Sequence, residues 1–198
     1  MVTFHSFSHT ALLLRVKMVY DFQTREVLAE LTLEATHTYI WSHSLESASS
    51  LCLELSASDE HQELLQWIDT LEADPRLDTI RACLLIFSVS DCWVIPQRFQ
   101  LEAGLAAFWG KNTLVNAGTG SGKTLSMAIP LLMNLEAVAV VVSPLGRLHS
   151  TQAKELGRFR VKPLVMNEDS KLSRAQIKVH YIANLPCYLC QVSTCLSI

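Results

Sequence analysis

Apolar positions along this chain follow two rhythms, and the change falls at Pro96. Upstream the spacing is helical. Leu64, Leu65, Ile68 and Leu71 recur at intervals that line one face of a helix, with Ser58 or Asp59 placed to cap it. Pro75 suits the first turn of a second helix, Arg76–Phe87, with Leu77, Ile80, Leu84 and Leu85 as its inward face. Arg25–Ala35 also has helical spacing, whereas the serine-rich Ser42–Ser58 reads as a linker.

Beyond Pro96, short apolar runs alternate with amphipathic stretches. The pattern predicts a helix over Gln97–Trp109, a turn at Gly110-Lys111-Asn112 and a short strand at Thr113–Asn116. A glycine-rich loop follows, then a helix from Lys123 to about Leu135 with a kink at Pro130. Ala137–Val142 is a valine-rich run of the kind found in parallel strands covered on both faces. Gly146–Phe159 reads as a helix, Pro163–Met166 as a strand and Leu172–Tyr181 as a helix. Such alternation implies right-handed βαβ units. The predicted class is α/β, a parallel sheet flanked by helices and preceded by a mostly helical N-terminal segment. Four stretches follow: a poorly defined segment 1–57, a helical prefix 58–95, an α/β unit 96–182 and an apolar, cysteine-containing tail 183–198.

Composition adds an asymmetry. The 198 residues are 49% hydrophobic, ample for a buried core, and the net charge is only −3. Yet residues 1–96 hold 5 basic and 14 acidic side chains, and residues 97–198 hold 11 basic and 5 acidic ones. The basic surplus is densest from Arg147 to Lys178, which suits a polyanionic partner. The two predicted acidic helices of residues 59–87 suit a protein partner instead. Three of the six cysteines, at 52, 83 and 92, sit in apolar surroundings and read as buried thiols. Cys187-x-x-Cys190 with Cys195 looks like part of a zinc site but lacks a fourth ligand at the usual spacing. His5, His9, His37 and His43 have no ligand companions and read as surface residues. No secretory signal is evident, and Leu125–Val142 is interrupted by Pro130, Asn134 and Glu136, so no membrane span is expected and the protein reads as intracellular.

The chemistry sits in Ala117-Gly118-Thr119-Gly120-Ser121-Gly122-Lys123-Thr124, which has the spacing of a phosphate-binding loop. Gly118, Gly120 and Gly122 let the backbone bend sharply and approach an anion without Cβ clashes. Successive N–H groups then face the phosphates, reinforced by the dipole of the helix that follows. Lys123 brings a positive charge to the β- and γ-phosphate oxygens, and the Thr124 hydroxyl ligates Mg²⁺. ATP with Mg²⁺ is therefore the expected ligand. A strand before the loop and a helix after it are the context that this motif requires.

The flanks narrow the choice. Phe99-Gln100-Leu101-Glu102-Ala103, Phe108-Trp109-Gly110-Lys111 and the loop itself together resemble the opening of DEAD/DEAH-box (superfamily 2) helicases, and the Gln-Leu-Glu-Ala form is similar to the RecQ-type branch. The resemblance spans about Pro96–Asp169. It implies a RecA-like nucleotide-binding domain, adenine recognition by Gln100, and contacts of Ser143, Pro144, Arg147 and Gln152 with a nucleic-acid strand. By the same resemblance the strand is single-stranded DNA rather than RNA, and the location nuclear.

The chain departs from the family in three places. Pro96-Gln97 replaces the phenylalanine-arginine pair expected before the glutamine, leaving adenine stacking to Arg98 or Trp93. The Asp-Glu box that would handle Mg²⁺ and the attacking water is missing; Pro163–Asp169, an apolar run ending in Glu168-Asp169, imitates it with the order reversed. A second helicase lobe has no room. The expectation is therefore a partial ATP- and nucleic-acid-binding module, incompetent alone for hydrolysis and unwinding, with a tail of the kind that a truncated or misspliced frame would produce. The alternatives are a P-loop kinase or other small NTPase, and a non-catalytic interaction protein with a vestigial loop.

Overall fold

A computed structural model of the chain describes residues 31–55, 61–90, 94–142, 146–166 and 188–192. Four helices come first: α1 (Leu33–Trp41), α2 (Leu45–Leu55), α3 (Gln62–Asp69) and α4 (Ala73–Val89). The remainder follows as α5 (Arg98–Phe108), α6 (Lys123–Met133), β1 (Val138–Val142), α7 (Gly146–Arg158), β2 (Lys162–Met166) and β3 (Tyr188–Val192).

The organising element is α4. From Thr79 to Val89 every residue but Arg81 is buried, so this helix is apolar all round and lies inside the helical layer. It packs against α1, α2, α3, α5 and α6. Pro75 sits in its first turn, where the missing N–H has no intrahelical acceptor to lose. Ile80, Leu84 and Leu85 are buried as their spacing predicts, while Leu77 is half-buried. In α3 only Ile68 is fully buried, and the N-cap position is His61; Ser58 and Asp59 lie outside the described residues.

The serine-rich stretch is a helix, not a linker. Ser49 and Ser50 donate to the carbonyls of Leu45 and Glu46 at 2.7 and 3.1 Å, satisfying their hydroxyls inside α2. Ala48, Leu51 and Cys52 then face the core. Upstream, α1 begins at Leu33 under a Thr32 cap, so it shares only its first turn with the helix expected at Arg25–Ala35; residues 25–30 lie outside the described ones. His37 and His43 are half-buried rather than surface residues: His37 stacks on Trp41 at 3.7 Å and reaches the Met133 carbonyl at 3.2 Å.

Helices α5 and α6 pack most closely of all at Gly104. A Cβ there would lie 2.6 Å from Ile129 Cβ, so the absence of a side chain sets the spacing of the two helices. That contact positions the candidate site, because α5 carries Gln100 and α6 begins at Lys123.

The described chain is mostly helical, with three short strands. β3 lies between β1 and β2 and pairs with both in parallel, Val140 and Leu164 each opposite Cys190. β3 comes from the 183–198 tail that the sequence set apart, because Tyr188–Val192 is too short to announce itself without neighbours. Two strand expectations change. Thr113–Asn116 is irregular and largely exposed, with no described strand beside it to take its backbone hydrogen bonds, and Leu114 is 95% exposed. β1 is covered on one face only: Ala139 and Val141 pack on the core, whereas Val140 and Val142 are 60% and 62% exposed. Among the described residues no helix is long and apolar enough to cross a membrane. The helix expected at Leu172–Tyr181 and the cysteines at 92, 187 and 195 lie outside the described residues.

Candidate nucleotide-binding loop

The loop runs from Ala117 into the N-terminus of α6. Gly120 and Gly122 hold φ of +83° and +75°, the left-handed region that costs an L side chain about 1–2 kcal/mol. Gly122 is the residue before the first turn of α6, whose leading N–H groups have no intrahelical acceptors and face outward along the helix axis. Gly118, Thr119, Gly120 and Gly122 are exposed, and Ser121, Lys123 and Thr124 are half-buried. The structure thus supplies the helix after the loop but not the strand before it.

Three side chains hold this backbone in shape. Ser121 donates its hydroxyl to the Gly118 carbonyl at 2.8 Å, closing the turn. Lys123 curls back so that its ammonium donates to the carbonyls of Ala117 and Gly118 at 2.8 and 2.6 Å. An ammonium has three N–H donors, so two are used on the loop and a phosphate must compete for them or take the third. Gln100 supplies the outer brace. It is buried, accepts from the Gln97 N–H at 2.8 Å, and donates its amide to the carbonyls of Ser121 and Gly122 at 3.1 Å each. Both amide hydrogens are therefore spent on the loop. In this arrangement Gln100 supports the phosphate site and does not face outward to read a base.

The Thr124 hydroxyl donates to Glu155 Oε2 at 2.7 Å. Glu155 lies on α7, next to the fully buried Leu156, and nothing in its sequence spacing marks it: it reads there as one acid in a basic stretch. Among the described residues no group of three or more His, Cys, Asp or Glu side chains converges as a metal cage. The Thr124–Glu155 pair offers two hard oxygens beside the place where phosphates would lie, which suits Mg²⁺ and its preference for one or two protein oxygens completed by phosphate and water.

Other expected site residues are not gathered here. Ser143, Pro144, Trp93, Glu168 and Asp169 lie outside the described residues, as does the side chain of Arg147. Gln152 is half-buried on α7. Arg98 pairs with Glu102 at 2.8 Å and lies over the Trp67 ring at 5.1 Å, an aromatic contact from the helical prefix that the sequence did not suggest.

Comparison with known proteins gives one family match and several relatives. The sequence model of the DEAD/DEAH box helicase family matches residues 97–188. A probable ATP-dependent RNA helicase DDX52 from Mus musculus is 38% identical over 68 residues, as is that of Rattus norvegicus; the Bos taurus protein is 37% identical over 67. Each alignment takes in 31% of this chain and 11% of the relative, so the match spans about a tenth of the length of these curated relatives. None of the three is a RecQ-type protein by name. Together the family match and the relatives support the DEAD-box helicase superfamily, and the family match implies a RecA-like α/β fold for residues 97–188.

Proposed function

We propose that residues 97–188 form a nucleotide- and nucleic-acid-binding segment of a DEAD/DEAH-box helicase, taking Mg²⁺–ATP at Gly118–Thr124. One observation carries this reading: two glycines in left-handed geometry deliver the chain into a helix N-terminus while Lys123 lies across the loop. Triphosphate oxygens would replace the Ala117 and Gly118 carbonyls as acceptors for the ammonium and receive the leading N–H groups of α6. Thr124 would hold Mg²⁺, which would supply positive charge to neutralise the phosphates. Gln100 keeps the loop open through the carbonyls of Ser121 and Gly122.

The nucleic-acid side rests on family likeness and on the basic surplus beyond Arg147. The names of the relatives favour RNA over the single-stranded DNA that the RecQ-type resemblance implied. The reading claims nucleotide binding and not turnover, and the RecA-like parallel sheet belongs to the same proposal. Calorimetric titration of the chain with Mg²⁺–ATP, alone and with single-stranded RNA or DNA, tests it. Saturable binding that disappears in Lys123→Ala supports the assignment; no binding by the unaltered chain refutes it.

A further inference from the structure

We infer that Glu155 is the carboxylate that serves, with Thr124, the divalent cation of the bound nucleotide. The inference rests on reading the loop as a nucleotide site, and it answers what that reading leaves open. A metal–triphosphate site needs an acid beside the loop hydroxyl, and no Asp-Glu pair follows the loop within residues 125–198. The fold brings one there from another element. Glu155 Oε2 accepts the Thr124 proton at 2.7 Å across 31 residues of sequence, and both side chains are half-buried.

The position is held by packing, not by chance overlap of flexible side chains. Leu156, one residue on, is fully buried, and α7 packs against both α6 and β2. Thr124 is the second residue of α6, so its hydroxyl moves with the helix that carries the loop. The direction of the hydrogen bond also matters. By giving its proton to Glu155, Thr124 keeps its oxygen lone pairs for a cation, and an acceptor behind a ligand both orients it and raises its basicity. The second Glu155 oxygen would remain to accept a hydrogen bond from water around such a cation. Hard oxygens of this kind select Mg²⁺ or Mn²⁺ over thiophilic metals. Lys123, the residue before Thr124, bonds instead to the Ala117 and Gly118 carbonyls, so the same loop carries a positive side chain beside the Thr124–Glu155 pair.

The test uses the full 198-residue chain. Affinity for a non-hydrolysable ATP analogue is measured by calorimetry with Mg²⁺ and again in chelator, for the unaltered chain, E155Q, E155D and K123A. The ratio of the two affinities is the readout. It should fall about tenfold in E155Q and recover in part in E155D, the scale usual for removing a carboxylate behind a metal ligand. Electron paramagnetic resonance with Mn²⁺ as the probe should show an altered bound-ion spectrum in E155Q, and the same comparison made on E155D serves if E155Q does not fold. An unchanged ratio and spectrum in E155Q, with binding still lost in K123A, overturns the role of Glu155 and leaves the nucleotide site standing. Absence of binding by the unaltered chain removes both.

Discussion

Helix α4 and the loop at 117–124 solve opposite problems with the same chain. In α4 the backbone polar groups satisfy one another, and ten buried side chains between Thr79 and Val89 supply the stability. In the loop the backbone itself is the functional surface, so most side chains are small, half of the eight positions are exposed, and two of the three glycines sit in left-handed geometry. Such a segment gains little from its own packing. Its shape is held by Gln100 from α5 and by the loop's own Lys123 ammonium. The lesson is that stability and binding are separable here. Damage to α4 should unfold the protein, whereas damage to the loop should leave it folded and unable to hold phosphate.

The largest expected effect breaks the first half of that comparison. Leu85 is fully buried in the middle of α4, and Leu85→Ala should cost about 3 kcal/mol through lost burial and a residual cavity. Urea denaturation would read it as a lower midpoint at unchanged slope. Nucleotide affinity per folded molecule should not change. Lys123→Ala comes next and acts on the other half. Losing a charged donor to phosphate should cost about 2–3 kcal/mol of binding, roughly 30- to 150-fold in Kd, with the urea midpoint nearly unmoved. If Lys123→Ala unfolded the protein as Leu85→Ala does, the ammonium would be a structural tie to Ala117 and Gly118 and not a phosphate ligand.

What the sequence revealed divides along the same line. Periodic apolar positions announced α3 and α4, and the helices α5, α6 and α7 begin within a residue of where their patterns start. The glycine-rich octapeptide was legible because its residue types have few other uses. Where the reading failed, long-range context decided. Serines disguised α2, since their hydroxyls return to carbonyls one turn back only once the helix exists. Thr113–Asn116 has strand composition but no described neighbour to pair with, and Tyr188–Val192 has little signal yet pairs on both edges. Gln100 was recognised as important, but its role as a brace is visible only when the Ser121 and Gly122 carbonyls are seen beside it. Glu155 was invisible for a different reason: its meaning lies entirely in a hydrogen bond to a residue 31 positions earlier.

A smaller effect sharpens how the loop is held. Gly122 has φ +75°, and a Cβ there would meet Gln100 Nε2 at 2.7 Å. Gly122→Ala should therefore combine backbone strain with displacement of the brace, costing about 1–2 kcal/mol of local stability. Amide hydrogen exchange should rise in residues 117–122 and stay constant in α4. Uniform loss of protection across both regions would mean that loop and core unfold as one unit.

The smallest effect marks where the comparison's boundary lies. Arg98 and Glu102 pair at 2.8 Å near the start of α5, but their side chains are 60% and 48% exposed. Water and salt compete for such a pair, and the order of arginine before acid is the less favourable one for a helix of this polarity. Glu102→Gln should therefore change stability by less than about 0.5 kcal/mol, and salt should erase even that difference. The variant matters because Arg98 also lies over Trp67 at 5.1 Å, on the helix that carries Gln100. Freed from Glu102, the guanidinium keeps that aromatic contact, so nucleotide affinity should stay within about twofold. A tenfold change in affinity with unchanged stability would place the Arg98–Trp67 pair inside the binding site, and the functional region would then extend from the loop into the helical prefix.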